Sequence, residues 1–136
     1  MKPMKLIWLC FVAAVTAQAQ LAVTVAPVKV TGQKTIVPLE MRNGFSEKIE
    51  SARAVCFLLD EQGKTVGPPT TRWMIGGANT NGLAAGATNL FHFVVTTDKP
   101  FTTTNLTAKV SFSRVVLEGG KLADVAKGVQ VAPNAK

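Results

Sequence analysis

The chain has no tyrosine, one histidine and two cysteines among its 136 residues. Each scarcity removes a class of chemistry. A zinc site built from paired His and Cys ligands has too few donors to draw on. The antibody-type sandwich, with its Cys pair and tyrosine corner, is excluded in the same way. No Ser stands in a G-x-S-x-G elbow, and no Gly-rich phosphate cradle precedes a helix. The 15 basic residues outnumber the 8 acidic ones, yet they never form a run of neighbours. Nucleic-acid binding through a basic patch is therefore not expected. After the first 19 residues there is no helical periodicity either.

Those 19 residues carry the marks of a secretory leader. Lys2 and Lys5 form a positive start, Leu6 to Val15 an apolar stretch, and Ala17-Gln18-Ala19 a small-residue cleavage signal. The apolar stretch is shorter than the ~20 residues a membrane-spanning helix needs. Cys10 follows Ile7-Trp8-Leu9 inside it, which does not fit lipoprotein processing. Cleavage before Gln20 leaves 117 of the 136 residues, with 13 basic against 8 acidic side chains and a formal charge of +5. The expected organisation is a signal peptide at 1–19, one domain at 20–132 and a polar tail at 133–136. No stable membrane span remains after cleavage, and the expected location is periplasmic or secreted.

The domain is organised around residues 52–67. Val55, Cys56, Phe57, Leu58 and Leu59 form an apolar run that ends in the turn Asp60-Glu61-Gln62-Gly63. A short run bounded by turn residues predicts a central strand covered on both faces. Asp60 suits the turn because its carboxylate can accept from backbone N–H groups ahead of it, and Gly63 because it has no Cβ to clash at positive φ. Lys64 to Val66 restarts an extended segment until Gly67-Pro68-Pro69 stops it.

Further strands are expected on both sides. Leu21 to Val30 places Val23, Val25, Val28 and Val30 around Pro27, as an interrupted edge strand would. Thr35 to Arg42 alternates Val37, Leu39 and Met41 with polar residues, and residues 45–50 read as a polar connection. Thr70 to Ile75 is short, with Trp73 and Ile75 on one side and Arg72 on the other. Asn89 to Thr96 is apolar on both faces and predicts an interior strand. Leu106 to Leu117 alternates strictly, and Gly119-Gly120 turns the chain into a returning strand at 122–131, where Gly128 marks a bulge. About seven strands with frequent turns predict an all-β, antiparallel, immunoglobulin-like β-sandwich.

Few residues are left to carry a site. Cys56, the one cysteine of the mature chain, lies in an apolar run with Arg53 on the opposite strand face, so a small buried residue is expected rather than a nucleophile. His92 could serve as a metal ligand or general base, but the pattern places no acid or second His beside it. Asp60-Glu61 is the densest acidic pair and is better read as a solvated turn. Met41 and Met74 are soft metal ligands with nothing to set them beside His92. Asn105-Leu106-Thr107 matches a glycosylation triplet of a kind that also arises by chance. The turn-rich segment 76–82 carries no charge, but Trp73 beside it is a candidate anchor, with Asn79 and Asn81 as candidate polar contacts.

Leu58, Asp60 and Gly63, with Leu83-x-x-Gly86 and the Phe91 and Phe93 strand, give residues 35–96 a resemblance to the FxLYD-type domains of exported bacterial proteins. Cys56 stands in place of that motif's Phe, and Leu59 in place of its Tyr. The resemblance implies export and a small immunoglobulin-like sandwich; it brings no catalytic residues. The expected function is a non-enzymatic, exported module without a cofactor, acting by contact with an envelope or extracellular protein or glycan. The alternative is a small secreted hydrolase or metal-handling protein that uses His92.

Overall fold

A computed structural model describes residues 20–76 and 81–133. The expected leader helix and most of the expected tail lie outside the described residues. The described chain forms nine strands in two sheets stacked as a sandwich. One sheet holds β1 (Leu21–Val25), β2 (Lys29–Thr31), β3 (Lys34–Asn43), β6 (Thr88–Thr96) and β9 (Val129–Pro133). The other holds β4 (Ile49–Leu59), β5 (Thr70–Ile75), β7 (Thr107–Leu117) and β8 (Lys121–Leu122) in the order β5-β4-β7-β8.

Period-two alternation builds the core. From the first sheet come Val23, Val37, Leu39, Met41, Phe93 and Val95; from the second come Ala52, Ala54, Cys56, Leu58, Phe112 and Val115. The inward row of β4 is small at Ala52, Ala54 and Cys56, while the facing sheet supplies the bulk of Phe93, Leu39 and Met41. Alternating small and large side chains across the layers is how a sandwich reaches native packing density.

Several strands depart from their local pattern, each for a long-range reason. The interruption at Pro27 is as expected, but β1 is no edge strand: it pairs antiparallel with β3 and parallel with β9. The pairings Val25↔Leu39 and Lys29↔Ile36 set Pro27 and Val28 opposite Val37 alone. Pro38, inside β3, uses its carbonyl to accept from Ala26 N–H at 2.9 Å. Its missing N–H therefore points toward this irregular break, where no ladder bond is lost.

The central strand is longer than its apolar run, starting at Ile49 within the stretch expected as a connection, and only one of its faces is fully covered. Val55, Phe57 and Leu59 are half-buried on the outer side. Asp60 makes the expected turn, its carboxylate accepting from Gln62 N–H and Lys64 N–H at 2.9 and 3.0 Å, with Gly63 at φ 81°. After it, Thr65 contributes a single bridge to Leu59 instead of a strand. β6 is corrected from interior to edge: it pairs with β3 alone, and Leu90 is 74% exposed. The strand expected over 122–131 is broken, because Asp124 caps a one-turn helix, Val125–Gly128, by accepting from Ala126 N–H at 3.0 Å. That turn carries the chain from one sheet to the other. Gly128 ends this helix instead of forming a bulge, with the Phe45 ring packed where a Cβ would stand.

Asn43 closes one end of the sandwich. It is fully buried, and its amide donates to Glu47 C=O and Leu83 C=O, each at 2.9 Å. Its side-chain oxygen accepts from Phe45 N–H at 2.8 Å. Leu83 in turn exchanges both backbone bonds with Ile49 at 2.9 Å. Thr35, by contrast, is buried with a hydroxyl that has no partner among the described residues.

These two buried polar residues should respond oppositely to truncation. Asn43→Ala strips a partner from one buried and two part-buried backbone groups and should destabilise by about 2–4 kcal/mol in urea unfolding. Thr35→Val removes an unpaired hydroxyl at constant shape and should stabilise by about 1 kcal/mol.

Candidate contact surface

On the outer face of the second sheet, β4 presents Arg53, Val55, Phe57 and Leu59. Register places Trp73 of β5 and Arg114 of β7 on either side of Arg53, then Thr71 and Ser111 beside Val55, and Lys109 beside Phe57. Two bulges create the top of this arrangement. The β4–β5 register shifts between Ala52↔Ile75 and Arg53↔Trp73, leaving Met74 extra. The β4–β7 register shifts between Arg53↔Arg114 and Ala54↔Phe112, leaving Ser113 extra. Without the first bulge, Trp73 would fall opposite Ala54 on the core face; without the second, Arg114 would fall opposite Ala52. An extra residue on each neighbour turns both side chains outward beside Arg53.

The expected pairing of Trp73 and Ile75 on one side is thereby corrected. Ile75 is buried, while Trp73 is 41% exposed. The Arg53 guanidinium lies over the Trp73 ring, 6.0 Å from its centroid, in cation–π range. Arg53 and Arg114 are like charges on directly opposite residues, an arrangement that costs stability unless an anion lies between them. Arg53, Ser113, Arg114, Leu122 and Val125 also border a shallow recess of about 290 Å³. Among the described residues the one ion pair is Lys121–Glu47, at 2.6 Å, so neither arginine is neutralised.

The remaining sequence candidates are dispersed. Asn81 is exposed at the end of the 76–82 segment, and Asn79 lies outside the described residues. Gly82, at φ 88° with its Cβ position 2.7 Å from Ile49 C=O, holds this end of the segment tightly on β4. His92 is exposed on the outer face of β6, in the other sheet, and its carbonyl accepts from the Arg72 guanidinium at 2.5 Å. Met41 and Met74 are core residues, so they do not converge with His92. Asp60 is occupied by its turn, and Glu61 accepts from the Asn105 side chain at 2.8 Å. No group of three His, Cys, Asp or Glu residues is set to hold a metal ion among the described residues.

A larger cleft of about 570 Å³ opens between the sheets at the far end, lined by Val25, Pro27, Leu59, Leu106, Val110 and Val131. Lys109, where the cleft meets the outer face, is the charged residue on its wall. Apart from Lys109 and Thr107 the lining side chains are apolar, so the cleft offers few directional groups. The Arg53 face is smaller than the cleft but carries the directional groups, two guanidinium groups and an indole. None of the helices among the described residues is long and apolar enough to cross a membrane.

Cys56 is almost wholly buried and free, and burial pushes its thiol from an ordinary value of 9.0 up to about 11. A raised folded-state value means that the folded protein keeps a proton the unfolded chain releases. The associated stability is complete below about pH 9 and is lost as pH rises toward 11. Urea midpoints should fall across that window, with a smaller decline in Cys56→Ala. A thiol reagent at pH 8 should label Cys56 only in denaturant.

No protein-family model matches the chain, and no curated protein sequence does. Among solved structures it is similar to one described as the structural characterization of IrmA from Escherichia coli, with a TM-score of 0.52 and 15% identity. The likeness covers 88% of this chain and 94% of that one. At that identity the shared property is the fold, a small β-sandwich spanning nearly the whole of both chains.

Proposed function

We propose that this chain is an exported, non-enzymatic β-sandwich module of the cell envelope or secreted fraction, acting by contact through the face built on Arg53, Trp73 and Arg114. One observation carries the reading. Two bulges at the same level of β4 turn a tryptophan and an arginine away from the core and set them beside a second arginine. Bulges that re-aim side chains are enriched next to functional sites, and Trp and Arg are the residues most enriched among binding hot spots.

The leader-like residues 1–19 and the resemblance to FxLYD-type domains support export to the periplasm or beyond. An exported location also sets nucleic acid aside as a partner. The dispersal of His92, Cys56 and the acidic residues over separate elements supports contact over catalysis. The partner class is an envelope or extracellular protein or glycan.

The test uses protein purified from the exported fraction, with Gln20 as its first residue, immobilised and exposed to envelope extracts and a glycan panel. Trp73→Ala should weaken retention about tenfold while leaving the melting temperature close to that of the parent, since the ring is exposed. Equal retention by parent and variant, or retention by neither, would overturn the assignment.

A further inference from the structure

We infer that the partner of the Arg53 face is an acidic polysaccharide, its carboxylate or sulfate groups held by Arg53 and Arg114 and a sugar ring laid against Trp73. The inference rests on the contact reading above and names the chemistry of the ligand at that same face.

Charge complementarity is the first argument. Between Arg53 and Leu59 the outer face carries Arg53, Arg114 and Lys109 and no acidic residue. The neighbouring acids are turned to other partners. Glu50 accepts from Gly119 N–H at 3.3 Å, Asp60 from its own turn, and Glu61 from Asn105. The two arginines sit on directly opposite residues, with Cβ atoms roughly 5 Å apart. A planar guanidinium on each side suits one anionic group taken by both, because Arg presents paired N–H donors matched to oxyanions. Lys109 of β7 is opposite Phe57, four residues along β4 from Arg53, or roughly 13 Å at about 3.3 Å per residue. Cations at both ends of such a span fit a polymer that repeats its negative charge, more than a single small anion.

Strand pairing separates a polysaccharide from an acidic peptide. β4 is hydrogen-bonded to β5 on one side and to β7 on the other, so its backbone has nothing left to offer an incoming strand. Peptides gain much of their affinity at a sheet from edge pairing, and the free edge nearest this face is β5, one strand from Arg53 and two from Arg114, so a paired peptide would lie beside the two arginines and not across them. What the face does offer is a partly exposed indole, half-buried Val55 and Phe57, and hydroxyl groups at Thr71, Ser111 and Ser113. The apolar C–H face of a sugar ring lies flat on an indole, while its hydroxyls exchange hydrogen bonds with Ser and Thr.

Titration of the processed protein with polygalacturonate, dextran sulfate and neutral dextran at about physiological ionic strength tests this. At least one acidic polymer should bind while neutral dextran does not, the pair indicating whether carboxylate or sulfate is preferred. Arg53→Gln and Arg114→Gln should each weaken that binding about tenfold, and Trp73→Ala by a similar factor. The control removes two charges elsewhere, one more than either arginine variant: the double variant Lys29→Gln, Lys34→Gln, on the other sheet, should change affinity by less than about twofold. Parallel thermal melts confirm that every variant is folded. An equal loss in the control would show attraction to net charge alone and overturn the inference. So would equally tight binding of poly-glutamate or single-stranded DNA, or no binding of either acidic polymer. If Trp73-dependent retention by envelope material persists while both acidic polymers fail, the ligand class falls and the contact reading stands. If retention also fails, both fall.

Discussion

A β-strand shows its side chains to two sides in strict turn, and only an inserted residue changes which side comes next. That constraint governs this molecule. β4 lies at the centre of the second sheet, and its inward row of Ala52, Ala54 and Cys56 keeps the layer thin enough for Phe93, Leu39 and Met41 to fill the space opposite. With that row fixed inside, Arg53 has to be outside. The neighbours then each insert one residue at that level. Met74 and Ile75 can both be buried on β5, and Val115 on β7, only because Trp73 and Arg114 are turned outward at the same point. Core packing and the exposed face are two consequences of one pair of bulges.

The end of the sandwich nearest these bulges depends on a polar contact. Asn43 ends β3 where the chain must leave one sheet and enter the other, and such crossings leave backbone groups with no ladder to join. Its single side chain satisfies Glu47, Leu83 and Phe45 together. Leu83 is bonded to Ile49, the first residue of β4, so the start of the central strand, the end of β3 and the segment entering β6 are tied at one place. A rigid tie here matters for the outer face as well, because Arg53 lies only four residues along from Ile49.

Much of this was legible from residue patterns. The alternation of Val37, Leu39 and Met41, and that of Leu106, Val110 and Phe112, specified buried faces that the structure reproduces. Asp60 and Gly63 specified their turn because both effects act within a few residues. What could not be read locally is pairing. β6 looks interior because Leu90, His92 and Val94 alternate with Phe91, Phe93 and Val95, yet its position at a sheet edge depends on which strands are absent beside it. β1 looks like an edge because of Pro27, yet β9 returns from more than a hundred residues away to cover it. The bulges at Met74 and Ser113 are invisible for the same reason. Each is defined only by comparison with β4, and neither is marked by the glycine that signals some bulges. Trp73 is therefore recognisable from its residue type, whereas only the register brings Arg53 and Arg114 beside it. Asn43 was readable as the end of a strand but not as a buried node.

The distribution of charge completes the reasoning from fold to chemistry. Acidic side chains serve the backbone and loops: Asp60 shapes a turn, Asp124 caps a helix, Glu50 and Glu61 hold neighbouring segments, and Glu47 pairs with Lys121. Arg72 is likewise spent on joining β5 to β6 through the His92 carbonyl. Neither Arg53 nor Arg114 has an acidic partner among the described residues; Arg53 packs over the Trp73 ring, and the two arginines face each other across a strand pair where like charges cost stability. A sheet face needs only to be wettable to be stable, and Ser or Thr at either position would meet that need at no electrostatic cost. Two opposed guanidinium groups beside a partly exposed indole exceed what the fold requires. That excess, in a molecule whose acids are largely committed elsewhere, is the physical basis of the proposed anionic partner.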